Sequence, residues 1–495
     1  MYTRADPYDV VPYPGFSYPD THPDHLATMA ILHGLAPAPV DRCRVLEVAC
    51  NEGANLIPMA YAIPKSEFIG FDLAGLPVER GQQRIRALGL ANIRLFQGNL
   101  LEAGAELGRF DYIIAHGIYS WVPEPVRNRL LALCHELLTP HGVAFVSYAA
   151  LPGGHLRNML REIMLHGAQG IEDPEQKVAA ALASLRFVSN ARKPGDPFRA
   201  LIEEQLGSLE KRTPHALFHD ELGEIYRPLS FSEFIEHARS HSLQYLSESV
   251  LPPPPDPANK PELAPTLASL AGDDFIAREQ FLDFLRNRVY RETLLCHAER
   301  ELTREYLPEQ LRCLNFASQA SSSRGEKAGA RVFTLPGGIK METSASGVIT
   351  LMEQLEAAWP RALSFAEIEP EVSAAGFVLD QEGTALLMRL AAAKMIELRA
   401  WKAPVAPAIS THPRASACAR EEARTRTHVT TLLHSTARLD DPLVRSFLQL
   451  LDGSRDRAAL LEALKAEYPD IPREHLEQGI EPNLQFLHRA GMLEA

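Results

Sequence analysis

Short apolar and β-branched runs alternate with stretches of helical periodicity between about residues 43 and 150. Five of these runs predict strands, at Arg44–Val48, Glu67–Asp72, Ile93–Gln97, Asp111–Ala115 and Gly142–Ser147. Helical patterns lie between them, near 54–62, 77–88 and 125–138. This alternation is typical of a parallel α/β sheet. We therefore predict an α/β domain that, with its N-terminal extension, occupies residues 1–165.

The strand pattern fades after residue 155, and the region 166–300 is predicted to be helical. The pattern Ser230-x-x-Glu233, followed by apolar residues at helical spacing, indicates a capping box at the start of a helix. The prolines at 252–255 predict a stiff break in the chain.

A weak internal repeat marks the last third of the chain. The segment Leu390–Glu397 resembles Leu487–Glu494, and each follows helical runs. This order of elements predicts two winged-helix-like domains, at 330–405 and 411–495. Winged helices often bind DNA, but residues 411–495 contain more acidic than basic residues. This excess of acidic residues favours contact with a protein over contact with DNA.

The composition narrows the possible functions. The 50 Lys and Arg residues against 63 Asp and Glu give a formal net charge of −13, which argues against nucleic acid as a partner. The six cysteines form no C-x-x-C pair, and no apolar run reaches the length of a membrane span. We expect a cytoplasmic protein without membrane insertion.

The segment from Val45 to Asn55 follows the first predicted strand and opens a helix. Small or turn-forming residues at Ala49, Asn51 and Gly53 would let a nucleotide or nucleoside approach the backbone. Only Gly53 is a glycine, so an ordinary strand–turn–helix is the alternative. Asp72 ends the second strand, where a carboxylate can bind ribose hydroxyls or cap a helix. After the third strand, Asn99 could accept from an adenine amino group, or it could belong to a simple turn.

Several longer segments carry a resemblance to a protein family. These are Tyr8–Pro14, Thr21–Asp24, Phe110–Pro123, Ser147–Gly153, Ser242–Leu246 and Arg278–Arg286. Together they resemble bacterial class I S-adenosylmethionine-dependent methyltransferases with a methyltransferase regulatory domain, a group that includes lysine methyltransferases of outer-membrane proteins. The resemblance implies a Rossmann-like catalytic domain, a helical regulatory region, winged-helix-like C-terminal domains and a homodimer. It implies S-adenosyl-L-methionine as cofactor, held by Glu47, Ala49, Asn51, Gly53, Asp72, Leu73, Asn99, Leu100 and His116.

Candidate residues for the methyl-acceptor channel are aromatic. They are Tyr13, Tyr119, Trp121 and Tyr148. Aromatic faces attract ammonium and sulfonium charge, and Tyr119 and Trp121 lie just beyond a strand's carboxyl end, where open α/β sheets bind ligands. His116 could donate a hydrogen bond or act as a general base. The pair His22 and His25 predicts a helix start, because no further metal-like ligand pair accompanies it.

Three functions stay open on the sequence. The first is methyl transfer to a protein lysine, favoured because a small-molecule enzyme needs no long extension beyond its catalytic domain. The second is a methyltransferase for a small molecule or lipid. The third is a non-catalytic regulatory protein that binds S-adenosylmethionine, suggested by the missing glycines at Ala49 and Asn51.

Overall fold

A computed structural model describes residues 6–250, 260 and 262–495. The first part forms α1 (Pro7–Val10), α2 (Pro23–Leu32), β1 (Arg44–Val48), α3 (Leu56–Ala62), β2 (Glu67–Asp72), α4 (Gly75–Leu88), β3 (Ile93–Gln97), β4 (Phe110–Ala115), α5 (Glu124–Leu137) and β5 (Leu138–Ala149). The five predicted strands and three predicted helices are therefore confirmed, with shifts of a few residues at their ends. The predicted break at Pro252–Pro255 lies outside the described residues.

The next part is mostly helical, as predicted, but it adds two strands. It forms α6 (Gly153–Gly167), α7 (Pro174–Asn190), α8 (Pro197–Leu209), α9 (Pro214–Leu222), α10 (Phe231–Ser240), β6 (Leu243–Glu248), α11 (Ala264–Ala271), α12 (Phe275–Arg286) and β7 (Tyr290–His297). The Ser230–Glu233 capping box is present at the start of α10. The sequence did not show β6 and β7, because short buried apolar runs fit a helix as well as a strand.

One seven-stranded sheet joins these two parts in the order β3-β2-β1-β4-β5-β7-β6. Strands β1 to β5 are parallel, and β7 runs antiparallel to both β5 and β6. The chain passes from β1 to β2 on one side and later returns to β4 on the other side. The carboxyl ends of β1 and β4 therefore lie at the switch point where open α/β sheets form a ligand crevice.

Both faces of the sheet are buried. Val45 and Phe68 point into one apolar cluster with residues of α2 and α3, whereas Leu46 and Ile69 point into another with residues of α5 and α10. Burial on both faces explains why the strands are nearly continuous apolar runs instead of alternating ones.

The C-terminal third contains two small helical units. The first forms α13 (Pro308–Arg312), β8 (Asn315–Ala317), β9 (Ser321–Arg324), β10 (Arg331–Thr334), β11 (Lys340–Thr343), α14 (Ser346–Ala358), β12 (Leu363–Ser364), α15 (Phe365–Ala374), α16 (Gln381–Ala392) and β13 (Glu397–Arg399). The second forms α17 (Ala417–Glu422), β14 (His428–Thr430), β15 (Thr436–Arg438), α18 (Pro442–Leu450), α19 (Arg457–Glu467) and α20 (Arg473–Arg489).

The repeat seen in the sequence has a structural counterpart. After α16, Leu398 pairs with Phe316 of β8, and after α20, Leu493 forms a bridge with Ala415. Each copy thus ends a helix and then adds a short extended segment to a neighbour. The domain boundaries stay predictions, although β8 precedes residue 330 and pairs with both β12 and β13. No helix of the described residues is long and apolar enough to cross a membrane.

Candidate active site

The turn from β1 to α3 has an unusual backbone. Ala49, Asn51 and Gly53 all have positive φ angles, of 59°, 50° and 69°. Glycine and asparagine tolerate this region, but alanine does so at a cost in energy, and such strain often marks functional sites. A Cβ at position 53 would lie 2.6 Å from Leu95 Cδ1. The two positions without glycine therefore adopt the left-handed backbone that glycines commonly provide.

Asp72 fastens this turn to the end of β2. Its Oδ2 accepts a hydrogen bond from the Asn51 N–H at 2.8 Å, and its Oδ1 accepts from the Ala74 N–H at 2.9 Å. Burial raises the pKa of Asp72. The N-cap of α4 is Ala74, so Asp72 is not the N-cap residue of that helix. A carboxylate oxygen with one donor retains a lone pair for a ribose hydroxyl.

Glu47 supplies an acceptor that lacks a partner. Its side chain is buried, and its Oε1 accepts from Asn55 Nδ2 at 2.8 Å. Its Oε2 has no hydrogen-bond partner among the described residues. Burial raises the pKa of Glu47 to about 8. A buried oxygen without a partner is costly, and a ligand with an ammonium group, such as the amino-acid part of S-adenosylmethionine, fits this need.

The ends of β2 and β3 meet beside Asp72. The Gly98 N–H donates to the Asp72 carbonyl at 2.8 Å, which brings Asn99 to the same edge. Asn99 Oδ1 accepts from the Leu101 N–H at 3.0 Å, so its amide nitrogen faces away from this bond. Leu100 is buried, whereas the Leu73 side chain is 58% exposed. The structure thus places the predicted cofactor residues from Glu47 to Leu100 along one edge of the sheet.

His116 follows β4 and stacks on an aromatic ring of the N-terminal segment. Its ring centroid lies 3.9 Å from that of Tyr18, and its Nε2 lies 3.9 Å from Glu292 Oε1. Burial lowers the pKa of His116 to about 4 and raises that of Glu292 to about 7. At neutral pH the imidazole is therefore uncharged, and its weak basicity favours hydrogen bonding over general-base catalysis.

A second group of aromatic residues surrounds Asp220 of α9. The Tyr13 hydroxyl donates to Asp220 Oδ2 at 3.3 Å, and Arg212 forms an ion pair with the same carboxylate. Burial and then Asp220 raise the pKa of Tyr13. Burial, Glu47 and Asp220 raise that of Tyr18 to about 12. Tyr18 therefore lies between the cofactor residues and the aromatic group.

Trp121 belongs to this aromatic group. Its ring lies 5.7 Å from that of Tyr226 and 6.5 Å from that of Tyr290, and the Arg157 guanidinium lies 5.6 Å from its centroid. The indole Nε1 has no partner in the part of the chain that the structure describes. Tyr290 donates to Ser147 Oγ at 2.7 Å. After the role that is proposed for them below, we call Tyr13, Tyr18, Trp121, Asp220, Tyr226 and Tyr290 the acceptor chamber.

The structure does not bring Tyr119 or Tyr148 into the acceptor chamber. Both rings are fully buried and pack against Phe234 of α10, at 5.2 Å and 4.1 Å. The Tyr119 hydroxyl bonds to His237. Residues Tyr119–Trp121 form a short 3-10 turn, which directs the first ring into the core while Trp121 faces the chamber. The two predicted channel tyrosines therefore have packing positions.

Several residues of the candidate site could not be predicted, because they come from segments far along the chain from the predicted candidates. Tyr18, Asp220, Tyr226, Tyr290 and Glu292 were not candidates. Only Tyr18 had an indication in the sequence, because it lies between the family-like segments Tyr8–Pro14 and Thr21–Asp24. The other four lie on α9, on the following loop and on β7, whose place beside β5 was not predictable. His22 caps α2 by accepting from the Asp24 N–H at 3.1 Å, which confirms the predicted helix start.

Comparison with known proteins agrees with this geometry. Residues 45–142 match the family described as a methyltransferase domain, 213–297 the predicted methyltransferase regulatory domain, and 412–470 the C-terminal winged helix domain of PKMT. The fold and the site define a class I S-adenosylmethionine-dependent methyltransferase. The chain belongs to the methyltransferases that carry a methyltransferase regulatory domain.

Two proteins of Rickettsia prowazekii are similar in sequence. RP789 is 34% identical over 316 residues, which cover 63% of this chain and 57% of that protein. RP028 is 33% identical over 245 residues, or 49% of this chain and 98% of that protein. The structure of PKMT2 from Rickettsia typhi matches with a TM-score of 0.84 and 24% identity, over 97% of this chain and 100% of that one. Its complex with AdoHcy (S-adenosylhomocysteine) gives a TM-score of 0.86 at the same identity and coverage. At this identity the likeness shows the fold.

Proposed function

We propose that this methyltransferase acts on the side-chain amine of a lysine in a polypeptide. The observation that carries the proposal is the acceptor chamber. Its aromatic rings and the Asp220 carboxylate meet next to the cofactor residues, with Tyr18 between them. Aromatic faces attract an ammonium group by about 0.5–2 kcal/mol, and a nearby carboxylate adds a charge-assisted hydrogen bond. The PKMT names of the similar domain and structure support the same acceptor.

The cofactor residues fit S-adenosylmethionine in kind. Glu47 has an oxygen free for its amino group, Asp72 retains acceptors for its ribose, and Asn99 and Leu100 lie where the adenine would bind. When bound, the cofactor supplies an activated methyl group whose C–S bond breaks as the acceptor nitrogen forms a C–N bond. The protein's main contribution is then to position the acceptor, which can lower a barrier by ~7–11 kcal/mol.

The acceptor lysine has to lose a proton before it can attack, since its ordinary pKa is about 10.4. Asp220 and the aromatic faces orient the acceptor as an ammonium, so its proton has to pass to a base before the nitrogen can attack. His116 holds Tyr18 by stacking, and Glu292 beside it can take up a proton near neutral pH. We assign Tyr13, Trp121 and His116 to acceptor positioning and give Tyr119 no catalytic role.

The remaining length of the chain also fits a polypeptide acceptor. The regulatory and winged-helix-like parts provide surfaces that a small metabolite does not need. A homodimer and a cytoplasmic location stay predictions from the sequence, as does the absence of a nucleic-acid partner.

The test is methyl transfer from labelled S-adenosylmethionine into a fractionated lysate. After acid hydrolysis of the protein fraction, amino-acid analysis should show label in methyl-lysines. The Asp220→Asn variant should lose most of this label, and Tyr119→Phe should keep it. Label found only in small molecules or lipids would refute the lysine proposal. Cofactor binding without any transfer would favour a non-catalytic regulator.

A further inference from the structure

The cofactor turn is in contact with the C-terminal winged-helix-like domain. Arg426 forms an ion pair with Glu52, within the turn itself. Arg84 of α4 pairs with Glu421 and Glu422 at 3.0 Å and 2.9 Å. His434 Nε2 lies 2.9 Å from Asn55 Oδ1. Four polar contacts therefore connect residues 421–434 to the catalytic domain close to the cofactor residues.

His434 occupies the tip of the β14–β15 hairpin in a left-handed backbone conformation. Its φ is 58°, a region that is uncommon for non-glycine residues but that His, like Asn and Asp, adopts more often than most. Its side chain is only 3% exposed. The Thr431 hydroxyl accepts from the N–H groups of Leu433 and Ser435, both at 3.2 Å, and so supports the turn. The hairpin thus presents a buried imidazole to the other domain.

The hydrogen bonds around Asn55 determine which atoms donate. The Tyr18 N–H donates to Asn55 Oδ1 at 2.9 Å, so this atom is the amide oxygen. The Asn55 Nδ2 then donates to Glu47 Oε1 at 2.8 Å and to the Thr21 hydroxyl at 3.0 Å. His434 Nε2 must therefore carry a proton and donate it to Oδ1. Burial lowers the pKa of His434 to about 3, which keeps the ring neutral in this tautomer.

We propose that the C-terminal domain completes the cofactor site, with His434 as a positioning residue that acts through Asn55 on Glu47. The chain of hydrogen bonds runs from the His434 ring to the Asn55 amide and then to the Glu47 carboxyl group. The proposal assigns the ligand's amino group to Glu47 Oε2, which is buried and has no partner among the described residues. The inference depends on the cofactor site and is independent of which acceptor the enzyme methylates.

The proposal has a consequence for regulation. Coupling between two sites is reciprocal, so a partner that moves the β14–β15 hairpin changes cofactor affinity, and cofactor binding changes affinity for that partner. The C-terminal domain would then report on cofactor occupancy as well as on the partner.

If the C-terminal domain only docked on the catalytic domain, any weakening of their interface would affect cofactor binding equally. Tyr61 of α3 contacts the same domain, because its hydroxyl bonds to Glu494 and accepts from the Ala417 N–H at 3.0 Å. This contact does not involve the cofactor turn. Loss of the Tyr61 hydroxyl is therefore a matched control, since it weakens the interface and leaves the Asn55 hydrogen bonds intact.

The experiment is calorimetric binding of S-adenosylhomocysteine to the full chain between pH 6 and pH 9. His434→Ala should weaken binding at pH 7 by about tenfold, the effect of losing one buried hydrogen bond. His434→Gln should recover most of this loss, because its amide nitrogen can donate to Asn55. Tyr61→Phe should bind like the native chain.

The pH dependence supplies a second readout. Asn55 lowers the pKa of Glu47, which burial and the nearby Asp72 raise. Among the neighbouring groups, Tyr18 and His434 stay neutral over this range. His434→Ala should therefore shift the pH at which affinity levels off to a higher value, and His434→Gln should not.

Several results would overturn the proposal. Native affinity in His434→Ala would do so, as would equal losses in His434→Ala and His434→Gln, or an equal loss in Tyr61→Phe. If His434→Ala does not fold, Arg426→Gln is the second variant, because it removes the ion pair to Glu52. It should weaken binding without moving the pH profile, and unchanged affinity would contradict the inference.

Discussion

Cofactor binding should release a proton from Glu47. The buried carboxyl has a pKa of about 8 in the free protein, against an ordinary 4.5, and its Oε2 has no partner among the described residues. At pH 7 about nine-tenths of the molecules therefore carry the proton. A cationic amino group bound at Oε2 favours the carboxylate, so binding expels the proton.

The sign and size of the effect follow from this linkage. Since the free protein holds the proton and the complex does not, affinity rises with pH and levels off above about pH 8. We expect about 0.9 proton released per site at pH 7, and an affinity about ninefold higher at pH 7 than at pH 6. The Glu47→Gln variant cannot release this proton and should bind weakly, with little pH dependence over the same range.

Calorimetry in two buffers of different ionisation enthalpy measures the released proton directly. Titration with S-adenosylhomocysteine at pH 7 gives an observed enthalpy that depends on the buffer in proportion to the protons released. Asn99→Ala serves as a control that perturbs the site without changing Glu47. Equal enthalpies in both buffers for the native chain would refute the assigned role of Glu47, as would the same proton release in Glu47→Gln.

Three further substitutions test other parts of the structure. Asp220→Asn should lower kcat/KM for a protein acceptor by about 10- to 100-fold, which is the contribution of a charged hydrogen bond. The affinity for S-adenosylhomocysteine should not change, and a weakened affinity would place Asp220 in the cofactor site. Tyr119→Phe should reduce the free energy of unfolding by about 1 kcal/mol through the lost bond to His237, and a large loss of transfer rate would argue for a catalytic role. Arg291→Met should destabilise by about 3–5 kcal/mol in urea denaturation, because Arg291 and Asp283 are both fully buried and the carboxylate would lose its nearer cation, leaving only Arg288 at 3.3 Å. Adding Asp283→Asn should restore part of that loss.

The cofactor edge of the sheet was predictable because its signals are local. Strand periodicity located β1 to β3, and the polar residues that follow each strand must meet at the carboxyl edge of a parallel sheet. Asp72 could be placed beside the turn at Asn51 by this reasoning alone. The backbone hydrogen bond from Asn51 and the unpartnered oxygen of Glu47 needed the structure. The first depends on the backbone of the turn, and the second depends on which side chains reach Glu47.

The acceptor chamber could not be predicted in the same way. Asp220 and Tyr290 lie about 100 residues or more beyond Trp121 in the chain, and no periodic pattern relates them. Tyr119 and Trp121 were both expected at the carboxyl edge of the sheet. The 3-10 turn that contains them directs Tyr119 into the core and Trp121 into the acceptor chamber. The contact between His434 and Asn55 spans most of the chain, and nothing in either local segment indicates it.

The assigned cofactor site is tested by binding of S-adenosylhomocysteine to the native chain and to Asp72→Ala, with Tyr119→Phe as a control outside the site. We predict micromolar binding in the native chain and in Tyr119→Phe. Asp72→Ala should lose this binding, because the change removes both the ribose acceptor and the hydrogen bond that fixes the turn at Asn51. Undiminished binding in a folded Asp72→Ala variant, or no binding in the native chain, would contradict the assigned cofactor site.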